Sequence, residues 1–281
     1  MSGGVSPQPA GVRRCAVLGQ PVAHSLSPLI HRRAYEVLGI AGEWDYGRHE
    51  VGETGLATFI EGCGPEWVGL SCTMPLKRVL LTLGTPSPTA RLLEAANTFL
   101  FADARVENTD VTGLVGALAR AGVTRVGTAW LLGNGATARS ALFALAQLGV
   151  REVVALVRSS ERAAASLGGL ADALGVRLFF GTWGTVPDGR ADLVVSTVSA
   201  PLTPEVAAGL AAGASACFDA TYNHYPTELD RAARAAGVIQ LSGIDLLVGQ
   251  AVEQIRLMTG RECPPEPLLE VAYAALADPG H

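Results

Sequence analysis

The run Gly133-Asn134-Gly135-Ala136-Thr137-Ala138 constrains this chain more than any other feature. It follows an apolar stretch at 128–132 and opens an alanine-rich segment at 136–148. A strand, a glycine turn and a helix in that order make the G-x-G-x-x-G/A unit that holds a dinucleotide pyrophosphate. Gly133 permits the tight turn, Gly135 lets backbone approach the phosphates, and small Ala138 lets the helix close on its strand. Asn134, Ala136 and Thr137 complete the turn, and the helix start offers free N–H groups and a positive dipole end. The turn sits near the middle of 281 residues, so the first half is expected to hold the substrate.

Elsewhere short apolar runs alternate with amphipathic stretches, the pattern of an α/β chain. In the first half, strands are expected at 15–18, 67–72 and 97–101, with helices at 28–38, 53–61, 75–83 and 111–121. Strands at 128–132, 153–157, 177–180, 193–197, 216–219 and 238–241 follow, with helices at 136–148, 161–174 and 228–236. Helices at 246–258 and 267–277 come last. This predicts two domains. Residues 111–243 form a Rossmann-type parallel-sheet nucleotide domain; 1–110 plus 244–281 form a substrate domain with a mixed sheet. Because the second sheet is already complete, the terminal helices are expected to pack back on the first domain.

Bulk properties exclude several classes. A net charge of −5 with scattered basic residues argues against a nucleic-acid surface. No apolar run approaches the ~18 residues that suggest a membrane span. The five cysteines are odd in number and form no C-x-x-C, so they read as reduced thiols of a cytoplasmic protein. The histidines lack metal-ligand spacing, and no metal is expected. Residues 1–10 read as a loose tail without the features of a signal peptide.

The choice of dinucleotide follows from the end of the second nucleotide strand. There, NAD-binding units carry an acidic residue for the ribose hydroxyls. This chain has Val157-Arg158-Ser159-Ser160-Glu161-Arg162 instead. Arg158 suits a 2′-phosphate or an adenine face, Arg162 lies one helical turn on, and Ser159 or Ser160 can cap the helix. NADP is therefore favoured over NAD. Two solvated arginines at a helix start are the competing reading.

Three segments of the first half concentrate polar groups where strands end. Ser25 and Ser27 can both meet a carboxylate or polyol at a helix start, although Ser27 could simply cap that helix. Lys77 follows Ser71-Cys72-Thr73-Met74-Pro75-Leu76, just inside an expected helix N-terminus. The dipole disfavours a cation there, which suggests an ammonium wanted in a cleft; by itself it is equally a surface lysine. Asp110, at the end of Glu107-Asn108-Thr109-Asp110, could cap its helix or pair with Lys77.

These segments together resemble the shikimate dehydrogenase family over nearly the whole chain. H-S-x-S-P-x-x-H stands at 24–31, T-x-P-x-K at 73–77, A-x-N-T at 95–98 and N-T-D-x-x-G at 108–113. The nucleotide turn and the R-[ST]-x-x-R cluster follow in order, and Gly243, Leu247, Gln250 and Ala251 resemble the family's late helix. The resemblance implies reversible, NADPH-dependent reduction of 3-dehydroshikimate to shikimate in aromatic amino-acid biosynthesis. Lys77 and Asp110 would be the catalytic pair. Ser25, Ser27, Ser71 and Thr73 would bind substrate, with Tyr222 near its carboxylate and Asn97 and Gln250 on ring hydroxyls. Thr197 and Val198 would join the cofactor residues, with the nicotinamide near Gly243 and Leu246. The expected partners are small molecules, and the chain is expected to be a monomer or homodimer.

The pattern departs from the family in places. The family's N-V-T is Ser71-Cys72-Thr73, the residue after the signature histidine is Arg32, and the Y-x-P loop reads Tyr222-Asn223-His224. Leu246 replaces a methionine, and Ser196-Thr197-Val198 replaces N-A-[TS]. A quinate/shikimate dehydrogenase, an aminoshikimate-type paralogue or a non-catalytic sensor of NADP or shikimate remain open alternatives.

Overall fold

The computed structural model describes residues 11–222 and 224–277; the expected tail at 1–10 lies outside them, as does Asn223. The first half builds a six-stranded mixed sheet from β1 (Arg13–Gly19), β2 (Trp44–Glu50), β3 (Trp67–Cys72), β4 (Thr85–Pro86), β5 (Thr98–Leu100) and β6 (Arg105–Glu107). The strand order is β2-β1-β3-β5-β6-β4. β1 is parallel to β2 and β3, whereas β5 is antiparallel to β3 and β6. Helices α1 (Ser27–Val37), α2 (Leu56–Glu61) and α3 (Pro88–Leu93) fill the connections. Tyr35 of α1 packs with Val17, Val22 and Tyr46, while Leu56, Leu76 and Leu80 bury with Leu18 and Leu70 in a separate cluster.

After α4 (Asp110–Arg120) the chain enters a second sheet at β7 (Thr128–Leu132). It continues through α5 (Ala136–Gln147), β8 (Glu152–Val157), α6 (Ser160–Ala163), α7 (Gly169–Leu174) and β9 (Arg177–Thr182). β10 (Ala191–Ser196), α8 (Pro204–Ala212), β11 (Ala214–Asp219), α9 (Glu228–Ala236) and β12 (Ile239–Leu241) complete it. The order is β12-β11-β10-β7-β8-β9 and every pairing is parallel. The chain starts at the centre, walks out to β9 and returns to β10 on the other side. That doubly wound order opens a crevice at the carboxyl ends of β7 and β10.

The last helices, α10 (Gly243–Thr259) and α11 (Glu266–Ala277), pack back on the first half. Ile244, Val248 and Ile255 of α10 and Leu268 of α11 bury with Leu26, Ile30 and Ala34. α10 lies so near β3 that a Cβ on Gly69 would meet Met258 Cγ at 2.8 Å. It also crosses α4 at backbone contact: a Cβ on Gly113 would fall 2.5 Å from the Gln250 nitrogen. No helix among the described residues is long and apolar enough to cross a membrane.

Several elements differ from expectation. Residues 75–83 form turns and a short 3₁₀ segment, Val79–Thr82, rather than an α-helix. The Lys77 carbonyl accepts from Ala96 N at 2.9 Å, so it is not free for the helical ladder. Ser27 does not cap α1. It is the first helical residue, and Ser25 Oγ accepts its N–H at 3.3 Å. The helix expected at 161–174 is divided by a π-helical stretch, Ala164–Gly168. α10 begins at Gly243 because Ser242 and Asp245 form a capping box ahead of it. β2, with a mostly polar outer half, carries no apolar run that would announce it.

Candidate active site

A cleft of about 310 Å³ lies between the two sheets. One wall comes from the loop after β1 (His24, Ser25, Ser27), the end of β3 (Ser71, Thr73), Lys77 and Asp110. The other comes from Thr137 on α5, Ala220 and Tyr222 after β11, and Gly243, Leu246, Gln250 and Gln254 of α10. β1 and β3 run parallel, so their carboxyl ends deliver both loops to the same edge. This is where α/β sheets generally place ligands.

Lys77 Nζ donates to Asp110 Oδ2 at 2.5 Å, with side chains only 19% and 6% exposed. The pairing answers the open question about Asp110: its carboxylate does not cap α4. Asn108 Oδ1 accepts the Asp110 N–H instead, at 3.1 Å. Asn97 lies behind the pair rather than on the cleft wall. Its Nδ2 donates to Asp110 Oδ1 and to Gln250 Oε1, both at 2.9 Å. Thr109 N–H donates to Asn97 Oδ1 at 2.9 Å, which fixes that amide's orientation, since a backbone N–H cannot accept.

The serine end of the cleft is held from two sides. His31 is fully buried, stacks on Tyr46 with ring centroids 3.8 Å apart, and contacts the Ser27 carbonyl through Nδ1 at 2.9 Å. The carbonyl only accepts, so Nδ1 carries the proton. Arg48 donates to the Ala23 carbonyl and, at 2.7 Å, to the Ser25 carbonyl, clamping the loop to β2. Burial pushes the Tyr222 phenol above its ordinary pKa, and nearby Arg48 opposes that rise.

A second cavity, about 380 Å³, sits at the crevice between β7 and β10. Gly133, Asn134, Arg158, Ser159, Arg162, Thr197 and Val198 all line it, and among the described residues no carboxylate does. Glu161 is exposed and absent from its wall. Gly133 has φ +108, and a Cβ there would meet Thr197 Oγ1 at 2.5 Å, so only glycine fits this turn. Gly135 precedes α5 without any side-chain cap, and Ala136 begins the helix, leaving first-turn N–H groups free for phosphate. The residues present therefore fit a dinucleotide carrying an extra phosphate near Arg158 and Arg162. Thr137, Gly243 and Leu246 line the first cleft instead, so the turn before α5 borders one cavity and its first turn the other.

Three further residues shape the two cavities without a motif that marks them. Trp183, just after β9, lines the nucleotide cavity with Arg158 Cζ 5.5 Å from its ring centroid. Gln254 lines the cleft, and its spacing of four from Gln250 could have placed it on the same face of α10. Tyr46 supports the cleft floor, but no local signal marks it.

A parallel-sheet dinucleotide domain facing a cleft with an ammonium–carboxylate pair defines a two-domain, dinucleotide-dependent oxidoreductase. Residues 17–99 match the family model described as the shikimate dehydrogenase substrate binding domain, and 243–273 match the shikimate 5′-dehydrogenase C-terminal domain. The chain is 36% identical over 266 residues to the shikimate dehydrogenase (NADP(+)) of Natronomonas pharaonis, covering 92% of this chain and 98% of that protein. The crystal structure of a shikimate 5-dehydrogenase from Mycobacterium fortuitum superposes with a TM-score of 0.83 at 34% identity, over 95% of this chain and 98% of that one. The Thermus thermophilus enzyme in complex with NADP(H) and shikimate gives 0.80 at 31% identity, over 94% and 100%. The chain belongs to the shikimate dehydrogenase family.

Proposed function

We propose that this protein catalyses the reversible, NADPH-dependent reduction of 3-dehydroshikimate to shikimate. The observation that carries the reading is the Lys77–Asp110 pair, set in a cleft beside a cavity fitted to a phosphorylated dinucleotide. Residues 1–110 with 244–281 serve as the substrate domain and 111–243 as the nucleotide domain.

When bound, the reduced nicotinamide supplies a hydride for the ring carbonyl carbon. Reduction leaves charge on the carbonyl oxygen, which must be stabilised and protonated. Lys77 Nζ provides both, and Asp110 holds the ammonium in place through the 2.5 Å contact. Lys77 is 19% exposed, so it can recover its proton from water. In the oxidative direction the same amine accepts the hydroxyl proton. Ser25 and Ser27, held by Arg48 and His31, bind the carboxylate with Tyr222 and Thr73 beside them. Gln250 binds a ring hydroxyl through Nε2, because its Oε1 is turned toward Asn97. Asn97 acts from behind, orienting Asp110 and Gln250.

The proposed setting is cytoplasmic biosynthesis of aromatic amino acids, with the chain as a monomer or homodimer. The test is a panel of shikimate, quinate and aminoshikimate, each with NADP and with NAD, followed at the reduced-nicotinamide absorbance. Shikimate with NADP should give the highest kcat/KM. A lead for quinate, aminoshikimate or NAD would overturn the assignment.

A further inference from the structure

The floor of the cleft holds a hydrogen-bond chain whose direction is fixed. Gln254 is fully buried, and its amide nitrogen faces the Asn97 carbonyl at 3.3 Å and Thr98 Oγ1 at 3.0 Å. A carbonyl only accepts, so that end of the side chain is the nitrogen and the other is Oε1. Ser71 Oγ lies 2.9 Å from Oε1 and must spend its single proton there. Tyr46, 2.6 Å from Ser71 Oγ on the other side, must then donate to it. Burial raises the Tyr46 phenol well above its ordinary pKa, so that proton stays in place. Thr98 Oγ1 passes the order on to Asn97 Oδ1 at 3.0 Å, and Asn97 donates to Asp110.

Ser71 occupies the position where the family pattern has asparagine, an amide that could both donate and accept. In this chain an amide reaches the serine from α10, through Gln254. Both of Gln254's donor contacts are with protein, so it does not itself offer a proton to a ligand. Ser71 is left with one free lone pair and no free proton.

We infer that Gln254 is a positioning residue that fixes Ser71 as a hydrogen-bond acceptor, so that the cleft selects a ring acid presenting a hydroxyl proton at that point. The inference rests on the ring-acid reading above and adds a specificity determinant to it. Gln250 supplies the opposite polarity, since its Oε1 is turned toward Asn97 and its amide nitrogen has no protein acceptor among the described residues.

The experiment uses the full-length enzyme and shikimate analogues in which either unreactive ring hydroxyl is replaced by fluorine, which is similar in size and cannot donate. In the wild type, one analogue should lose at least about tenfold more kcat/KM than the other, because a site built for a hydroxyl rejects its replacement. Gln254→Met frees the Ser71 proton and should shrink that difference to within about twofold, mainly through KM, with the KM for NADP unchanged. Ser71→Ala should shrink it too, and decides the matter if Gln254→Met does not fold. Equal losses for both analogues in the wild type would overturn the inference. So would a wild-type difference that persists in either folded variant. Failure of the wild type to turn over shikimate would instead overturn the functional reading, and this inference with it.

Discussion

Lys77 Nζ and Asp110 Oδ2 stand 2.5 Å apart although 33 residues separate them, the lysine on a turn after β3 and the carboxylate at the first residue of α4. The lysine has no fixed partner other than Asp110 among the described residues. Removing the ammonium leaves the serine end of the cleft untouched. Lys77→Ala should therefore lower kcat by about 10²–10⁴-fold, the usual contribution of a positioned general acid. Shikimate binding, followed by calorimetry, should change only a few-fold. Normal turnover by the purified variant would rule Lys77 out as the acid.

Arg158 is exposed beside the nucleotide cavity, supported by Trp183 rather than by any carboxylate. A charge-assisted contact to phosphate contributes about 1.5–3 kcal/mol. Arg158→Ala should accordingly raise the KM for NADP by about 10–100-fold while leaving the KM for NAD nearly unchanged. Equal losses for both cofactors would mean that the guanidinium does not read the 2′-phosphate.

Gly113 of α4 touches the backbone of Gly249 and Gln250 on α10. Gly113→Ala would place a Cβ only 2.5 Å from the Gln250 nitrogen, closer than real Cβ atoms approach backbone, so one of the two helices must shift. Overpacking of this kind costs roughly 1–3 kcal/mol. The crossing also aligns Asp110 with Gln250, so activity should fall along with thermal stability. A variant as stable and active as the wild type would show that the two helices can separate without consequence.

Two buried groups titrate in overlapping windows with opposite effects on stability. Burial pushes His31 down from 6.5 to about 4, so the folded ring stays neutral while the unfolded chain takes up a proton. Its contribution is fully present above pH 6.5 and is lost as pH falls toward 4. Burial raises Asp219 from 3.8 to about 6, with Asp230 adding to the rise and hydrogen bonds from Thr221 and Thr227 opposing it. That contribution is present below pH 3.8 and is lost as pH rises through 6. Each is worth about 3 kcal/mol at full extent, so in the wild type they largely offset. Asp219→Asn should make the melting temperature fall more steeply between pH 6 and 4, and His31→Gln should reverse the slope. Unchanged pH profiles in both variants would show that neither group titrates in this window.

The nucleotide half was largely legible because its signals are local. The Gly133 turn, the Ser159 cap, the Gly237 stop after α9 and the short apolar strands each encode their conformation within a few residues. The first half was less legible. β2 is polar along its outer half, and the segment around Lys77 has helical periodicity but gives its carbonyl to Ala96 N–H instead of a helical ladder.

The sequence by itself determined the two-sheet plan, the pair of arginines at 158 and 162 after β8, and the chemical identity of Lys77, Asp110 and the serines. Tertiary structure alone decided how these groups meet. Asn97 reaches Gln250 across 153 residues and Ser71 reaches Gln254 across 183, through the crossing of α4 with α10 and the packing of α10 on β3. A local pattern sets the shape of a turn or a helix face. The direction of a hydrogen bond between distant side chains depends on which other partners each already holds, and only the packed fold supplies those partners.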